Sequence, residues 1–486
     1  MPIRRTQFVR RAALASCLAL AASSASASAK DLAPSPDSAA KLQAFFAAYF
    51  GKQAPVTLSP ADPGFWAAFD LAAVTAPLKT SGFAYDSATL KYHLVEQDDG
   101  LWRVEQTDIP PIVGHMKDET STLTITGVKN TLIVDPSIAW WRSLNGSADR
   151  VTMQAKTPGV DETFDLGALQ VTGEGKATPD GLASATMHQS FAGAKATIDV
   201  SPKPDSDAKP THVDINADRI GADVTLDGVK SRALLDVWAF LVAHPSRPEL
   251  AANEAVFKTL LAAALASPLK VDESVSVGKT AVQTPQGAVT IDSAKFGFAA
   301  AAGPTGSFEE RFAADGLALP ATLIPGPFRD FAPTSFAVAF RAAGFDVSST
   351  VAEMLADMHL AGEGPAIAPD DQAKIHAKLI GPDGIVIDIE PSHILAPLLD
   401  VSFEGRIVYK GAKPTGKLTV HMHNFDKTQA ALKTLGPEVE KKIAPMLAMA
   451  KGLAKADSDG SLTWVGEIGA DGVMKVNGLP LGKSPI

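Results

Sequence analysis

Polarity alternates along the chain from Val401 to Tyr409, the chain turns at Lys410-Gly411-Ala412-Lys413-Pro414, and a second run returns from Gly416 to His423. Side chains of an extended chain point to opposite faces in turn, so this pattern dictates a hairpin. A helical segment starts near Asp426. A second hairpin, Leu462 to Ile468 and Val473 to Val476, turns at Gly469-Ala470-Asp471-Gly472 and stops at Asn477-Gly478. The unit reads strand, strand, helix, strand, strand, and no catalytic motif falls in it.

The rest of the chain follows the same grammar. Ser38 to Phe50 sets Leu42, Phe45, Phe46, Tyr49 and Phe50 at helical spacing behind a cap candidate at Ser38. Ala88 to Val95 and Leu101 to Thr107 alternate on either side of Asp99-Gly100, the strongest local hairpin signal. Thr120 to Ile125 and Thr131 to Val134 follow as strands. From Ala139 to Val224, short strands separated by Gly, Asp and Pro clusters describe a long antiparallel meander, with Ser201 to Pro210 a polar loop. The period turns helical over Arg232 to Ala243 and Glu249 to Leu265. Strands are expected again at Val271 to Val277, Thr280 to Thr284, Val289 to Phe298, Ser307 to Ala314 and Ser335 to Phe345. A helix over Ser348 to Met358 comes next, then Ala373 to Ile380 and Ile385 to Glu390 in extended form.

Three places read alike: Gly228 into Leu235-Asp236, Gly344 into Phe345-Asp346, and Asn424 into Phe425-Asp426. Each sets an acid near a helix start, where it can cap or face the helix terminus. They fit an internal repeat of about a hundred residues or a coincidence.

These segments give an α+β chain, β-dominated, with long antiparallel curved sheets and a few helices packed on one side. The expected divisions are a signal peptide over 1–29, an N-terminal β-rich lobe over 30–230, a helical pair over 231–270, and a C-terminal β-rich lobe over 271–486.

The signal rests on Arg4, Arg5, Arg10 and Arg11 before the apolar Ala12 to Ala22, then small residues that fit cleavage after Ala29. No phenylalanine-leucine step follows the arginine pairs at twin-arginine distance, so ordinary export is expected. Leu14-Ala15-Ser16-Cys17 resembles a lipoprotein box, but too little apolar length precedes it. Cleavage leaves 40 basic against 54 acidic residues, a net charge of −14. That balance opposes nucleic acid and electrostatic docking on anionic lipid. Cys17 is the single cysteine, so the mature chain forms no disulfide and no thiolate metal site. The longest apolar runs beyond the signal, Ala233 to Ala243 and Leu260 to Ala266, fall short of the ~20 residues of a transmembrane helix. A soluble periplasmic protein is expected.

Candidate chemistry is sparse. His421 and His423 lie two apart on a strand and share a face, one geometry for two metal ligands, with His376, His393 or a carboxylate as a third. The plainer reading, a polar strand face, is preferred, and no metal or cofactor is expected. Asp457-Ser458-Asp459-Gly460 opens like a calcium loop, yet Leu462 and Ile468 stand where such a loop needs glycine and glutamate. A turn is expected there, and another at Asp370-Asp371. No G-x-S-x-G, H-E-x-x-H, phosphate loop or G-x-G-x-x-G occurs, so catalysis is not expected, although scattered Ser, His and Asp partners leave no motif. Trp140-Trp141, Phe65, Trp66 and the Phe328, Phe331 and Phe336 group are read as core rather than as a stacking platform.

Phe403-Glu404-Gly405-Arg406, Pro414 to Val420, the helix near Phe425-Asp426 and the closing Asp471 to Leu481 resemble an uncharacterised family of exported alphaproteobacterial proteins, a DUF2125-like domain of unknown function. The likeness covers about a hundred residues. It implies a cell-envelope location and a β-rich fold, and it carries over no catalytic residue. The expected function is a non-catalytic envelope protein whose apolar sheet face, partly closed by helices such as Arg232 to Ala243, holds lipid or another hydrophobic component. The alternatives are a scaffold for an envelope protein partner and, third, a hydrolase.

Overall fold

The computed structural model describes residues 29–50, 56–76, 82–116, 118–178, 180–202, 210–265, 269–324, 326–362, 364–381, 383–410, 414–434 and 436–483. The expected signal segment up to residue 28 and the Cys17 box lie outside them. The chain is strand-dominated and folds as two units. Unit 1 takes the described residues of 1–212, 219–267 and 358–366. Unit 2 takes those of 213–218, 268–357 and 367–486. The helical pair expected between two lobes thus lies in unit 1.

In chain order up to residue 266 the elements are helix α1 (Pro36–Phe50), strands β1 (Val56–Pro60) and β2 (Phe65–Asp70), helix α2 (Leu71–Val74), and strands β3 (Phe83–Tyr85), β4 (Thr89–Glu96), β5 (Trp102–Gln106), β6 (Ile112–Met116), β7 (Glu119–Thr126), β8 (Lys129–Asp135), β9 (Trp140–Ala148), β10 (Arg150–Thr157), β11 (Val160–Leu166), β12 (Leu169–Ala177), β13 (Ala183–Phe191), β14 (Ala194–Val200), β15 (Thr211–Ala217) and β16 (Ile220–Val229). Helices α3 (Ser231–Ala243), α4 (Arg247–Ala252) and α5 (Glu254–Leu265) follow. In unit 1 one antiparallel sheet runs β1-β2-β4-β5-β8-β9-β12-β13-β16. A second runs β3-β6-β7-β10-β11-β14.

The core of unit 1 is where alternation turns apolar side chains inward from both sheets. Leu90, Leu144, Leu169, Val171 and Phe191 of the first meet Ile112, Leu123, Ile125 and Val151 of the second. Leu144 retains 1% exposure. Helix α1 lays Leu42 on Phe65, Ala67 and Leu94. It starts two residues before the expected cap, because the Ser35 hydroxyl accepts the Ser38 backbone N–H at 3.1 Å. That frees buried Ser38 to donate its own hydroxyl to Glu96. The Asp99-Gly100 hairpin forms as expected between β4 and β5, with Gly100 at φ +81° where a Cβ is disfavoured.

Unit 2 continues with β17 (Lys270–Val277), β18 (Thr280–Thr284), β19 (Gly287–Ile291), β20 (Ser293–Ala301), β21 (Gly306–Asp315) and β22 (Ser335–Phe345). Next are helices α6 (Val347–Ala356) and α7 (Pro369–Leu379), then β23 (Ile385–Ala396), β24 (Leu399–Tyr409) and β25 (Pro414–Met422). Helices α8 (Phe425–Lys433) and α9 (Pro437–Leu453) precede β26 (Lys455–Ala456), β27 (Leu462–Ile468), β28 (Val473–Val476) and β29 (Leu479–Lys483). The large sheet runs β17-β20-β21-β22-β23-β24-β25-β27-β28-β29, all antiparallel. Strands β15, β18 and β19 pair antiparallel in that order.

Three expectations fail here for local reasons. Residues 373–380, expected extended, are mostly α7: Pro369 opens the helix, Asp370 and Asp371 fill its first turn, and Ile375 is its buried contact. Val289 to Phe298 is two strands in two sheets, split at Asp292, whose backbone N–H bonds the Asp315 carbonyl at 2.9 Å. Of the three acids expected at helix starts, Asp346 caps α6 by accepting from Ser349 N–H at 2.9 Å, whereas Asp236 lies in mid-helix and Asp426 in a first turn. The conspicuous aromatics divide: Phe65 is buried, while Trp66 and Phe328 are exposed.

Candidate functional site

Strand register sorts the side chains of the large unit 2 sheet into two faces. On one, Val275 of β17 stands opposite Phe296 of β20, Phe296 opposite Phe312 of β21, and Phe312 opposite Val338 of β22. Phe340 of β22 faces Ile389, and Ile387 faces Ile407. The file continues through Phe403 opposite Val420, Val420 opposite Trp464, and Ile468 opposite Met474. Nine adjacent strands therefore present one apolar face, and at ~4.8 Å per strand it extends roughly 40 Å. Rings tile its β20 to β22 part, with Phe296 to Phe312 at 5.1 Å, Phe298 to Phe308 at 5.7 Å and Phe308 to Phe340 at 6.0 Å between centroids. Two acids stand on it, Glu273 and Glu310, both opposite Phe298.

The other face is charged. Arg311 pairs with Asp272 at 3.0 Å, and Arg406 with Asp388 at 3.6 Å. A bulge keeps the two faces apart through the middle of the sheet: β23 carries one residue more than either neighbour between Ile389 and Ser392. Pro391 sits in that bulge, where it has no N–H to leave unpaired. The hydroxyl of Ser392 takes the place of a ladder acceptor, receiving the Ala339 N–H at 3.2 Å. The extra residue shifts the apolar phase from Ile385, Ile387 and Ile389 to Ser392 and Ile394 without moving it to the charged side.

Burial separates this face from the unit 1 core. Its side chains are mostly half-buried, and Phe312, Tyr409 and Leu418 are each 38% exposed. Both clusters of fully buried apolar side chains found among the described residues lie in unit 1. At the β27 end the face is covered: Trp464 donates its indole N–H to the Ala450 carbonyl of α9 at 2.7 Å, and the buried Phe425 ring lies 5.8 Å from it. A contiguous apolar surface left partly in water is the mark of an interaction site.

The histidine pair and the aspartate turn, read separately in the sequence, come together. His421 Nδ1 is 2.7 Å from the Thr463 hydroxyl and 3.8 Å from Asp457, and His423 Nδ1 is 3.8 Å from Asp459. They lie on the charged face, and His393 shares their register file two strands away through Ser402. His376 is on α7. Among the described residues, no group of three or more His, Cys, Asp or Glu could hold a metal ion. Residues 457–460 form a turn, with Gly460 N–H on the Asp457 carbonyl at 3.1 Å. Bonds from the Ser461 hydroxyl and N–H hold the Asp459 carboxyl below its ordinary range.

One constellation has no sequence signal. Thr172 of β12, His188 of β13 and Asp223 of β16 stand in a single register file, with His188 Nδ1 2.6 Å from Asp223. They line a groove of about 450 Å³ with Glu174, Thr186 and Thr225. The side chains of His188 and Asp223 are 58% and 67% exposed, and among the described residues no hydrogen bond joins Thr172 to the ring. Similar cross-strand pairs recur at His93 with Glu105 and His212 with Asp199.

Among the described residues no helix is long and apolar enough to cross a membrane, which leaves β-barrel spans unaddressed. A family model described as an uncharacterized protein conserved in bacteria matches residues 208–485. The apolar face lies wholly within that span, whereas β9, β12 and β13 of the groove lie outside it. No curated protein and no solved structure matches the chain.

Proposed function

The chain belongs to the DUF2125 family of uncharacterized bacterial proteins, and from that premise we propose that it is a non-catalytic protein of the periplasmic cell envelope that binds lipid acyl chains, or a comparable hydrophobic component, along the apolar face of unit 2. The observation that carries this reading is the nine-strand face whose aromatic and aliphatic side chains stay half-buried. Each Å² of apolar surface left in water forgoes about 25 cal/mol, so a face this long is costly unless something apolar lies on it. The arginine-rich start of the sequence and its small-residue end support export.

The hydrolase alternative finds one His–Asp pair beside a hydroxyl in the file of Thr172, His188 and Asp223. That file stands in water, without the excluded and pre-oriented surroundings that make such groups effective.

The test is native mass spectrometry with lipid extraction on the mature protein purified from periplasm. Stoichiometric co-purifying lipid, lost on Phe340→Glu, is the expected result. A lipid-free protein that also fails to bind a fluorescent fatty acid overturns the reading and leaves an envelope protein as the partner for the same face.

A further inference from the structure

We infer that helix α9 docks unit 2 onto an anionic bilayer surface. This rests on the lipid-binding reading, since a protein that loads acyl chains has to meet the membrane that supplies them. The net charge of the whole chain, −10, argues against such docking, but the charge is unevenly spread. Lys441, Lys442, Lys451 and Lys455 fall within fifteen residues that contain no acid.

The helix is two-sided. Ile443, Leu447 and Ala450 are half-buried on the side where the Ala450 carbonyl meets Trp464 of the apolar face. The far side presents Lys442, Pro445, Met446 and Met449 at spacings of three and four. Met446 is 65% exposed and Met449 62%, the two most exposed large apolar side chains of the described residues. Lys451 is held by Asp426 at 2.5 Å, while Lys441 and Lys442 are exposed. Unbranched methionines flanked by lysines match the headgroup boundary of an anionic bilayer: thioether chains enter the acyl region and ammonium groups meet phosphate. Charge selects this occupant over an acidic protein surface, because the two methionines between the lysines need an apolar layer beneath the negative one. Docked in this way, α9 sets the Trp464 end of the apolar face at the membrane.

The experiment is co-sedimentation of the mature protein with vesicles of phosphatidylcholine alone or with one third phosphatidylglycerol, with bound lipid extracted from the same samples. Binding to the anionic vesicles only, weakened by raising ionic strength from roughly 0.05 to 0.5 M, is expected. Lys441→Gln with Lys442→Gln should lower partitioning by roughly 10- to 30-fold. Met446→Ser with Met449→Ser should lower it on anionic vesicles while leaving the circular dichroism spectrum unchanged. Equal binding to both vesicle types, or variants that bind as the parent does, overturns the docking. Extracted lipid retained in that case spares the acyl-binding reading; lipid absent with docking intact sinks that reading alone.

Discussion

Trp464 donates its indole N–H to the carbonyl oxygen of Ala450 at 2.7 Å, a bond between the apolar sheet face and the helix that covers its end. Trp464→Phe keeps an aromatic, though smaller, side chain and removes the donor, leaving the carbonyl without that partner, at a cost of about 1 kcal/mol for the lost bond. Hydrogen exchange over residues 443–453 should speed up while exchange in β20 to β22 stays as it was. Unchanged protection of α9 would show that the helix is held by other contacts.

Side chains on a face kept for a ligand should matter less to folding than side chains in a core. Leu144→Ala, in unit 1, empties a fully buried site and should cost about 2–5 kcal/mol in denaturant unfolding. Phe312→Ser, 38% exposed, should cost less than half as much yet reduce bound lipid. Equal destabilisation by the two would sink the distinction drawn between core and face.

Acid should loosen unit 1 through Glu96. Burial alone would raise its pKa, but Lys41 at 2.5 Å and the Ser38 hydroxyl outweigh that and hold the carboxyl below its ordinary range. A carboxyl depressed in the folded state contributes stability at pH values above its unfolded pKa, and the contribution disappears as pH falls through the folded one. Glu96→Gln should therefore lower Tm at neutral pH and flatten the acid limb of the Tm profile. A parallel displacement of the profile, with the limb intact, would refute this assignment.

Gly175 of β12 has no room for a side chain: an added Cβ would lie 2.1 Å from the Trp141 carbonyl oxygen and 3.2 Å from the Trp140 ring. Backbone cannot yield as a flexible side chain can, so Gly175→Ala should destabilise unit 1 by roughly 1–3 kcal/mol. Gly181→Ala is a different case, because nothing lies within 4 Å and only its φ of +78° opposes a side chain. Thermal melts of the two variants should separate the clash from the conformational cost, with Gly175→Ala the lower; equal melting temperatures would remove the clash as the cause.

Much of the fold can be read along the chain because its signals are local. The Asp99-Gly100 turn and the Val401 to His423 hairpin need only a period of two and residues that tolerate a turn. The misread helix at Pro369–Leu379 shows where local signals compete: Asp370 and Asp371 suit a turn and a helical first turn equally, and burial of Ile375 decides between them. The split at Asp292 was hidden because both strands are apolar and only their pairing, Val289 with Val282 and Phe296 with Phe312, assigns them to different sheets.

The amino-acid sequence by itself determined which residues alternate, where turns fall, that a single cysteine allows no disulfide within the chain, and that catalytic motifs are missing. Tertiary structure alone decided which alternating runs are neighbours. Phe296, Phe312, Phe340, Ile389 and Trp464 become one surface only when nine strands align in register, as do Thr172, His188 and Asp223 on three. Alternation sets the side of a strand on which each residue falls, but strand order and register arise from pairings far apart in sequence. A single chain of letters carries no record of those distances until the backbone hydrogen bonds have closed.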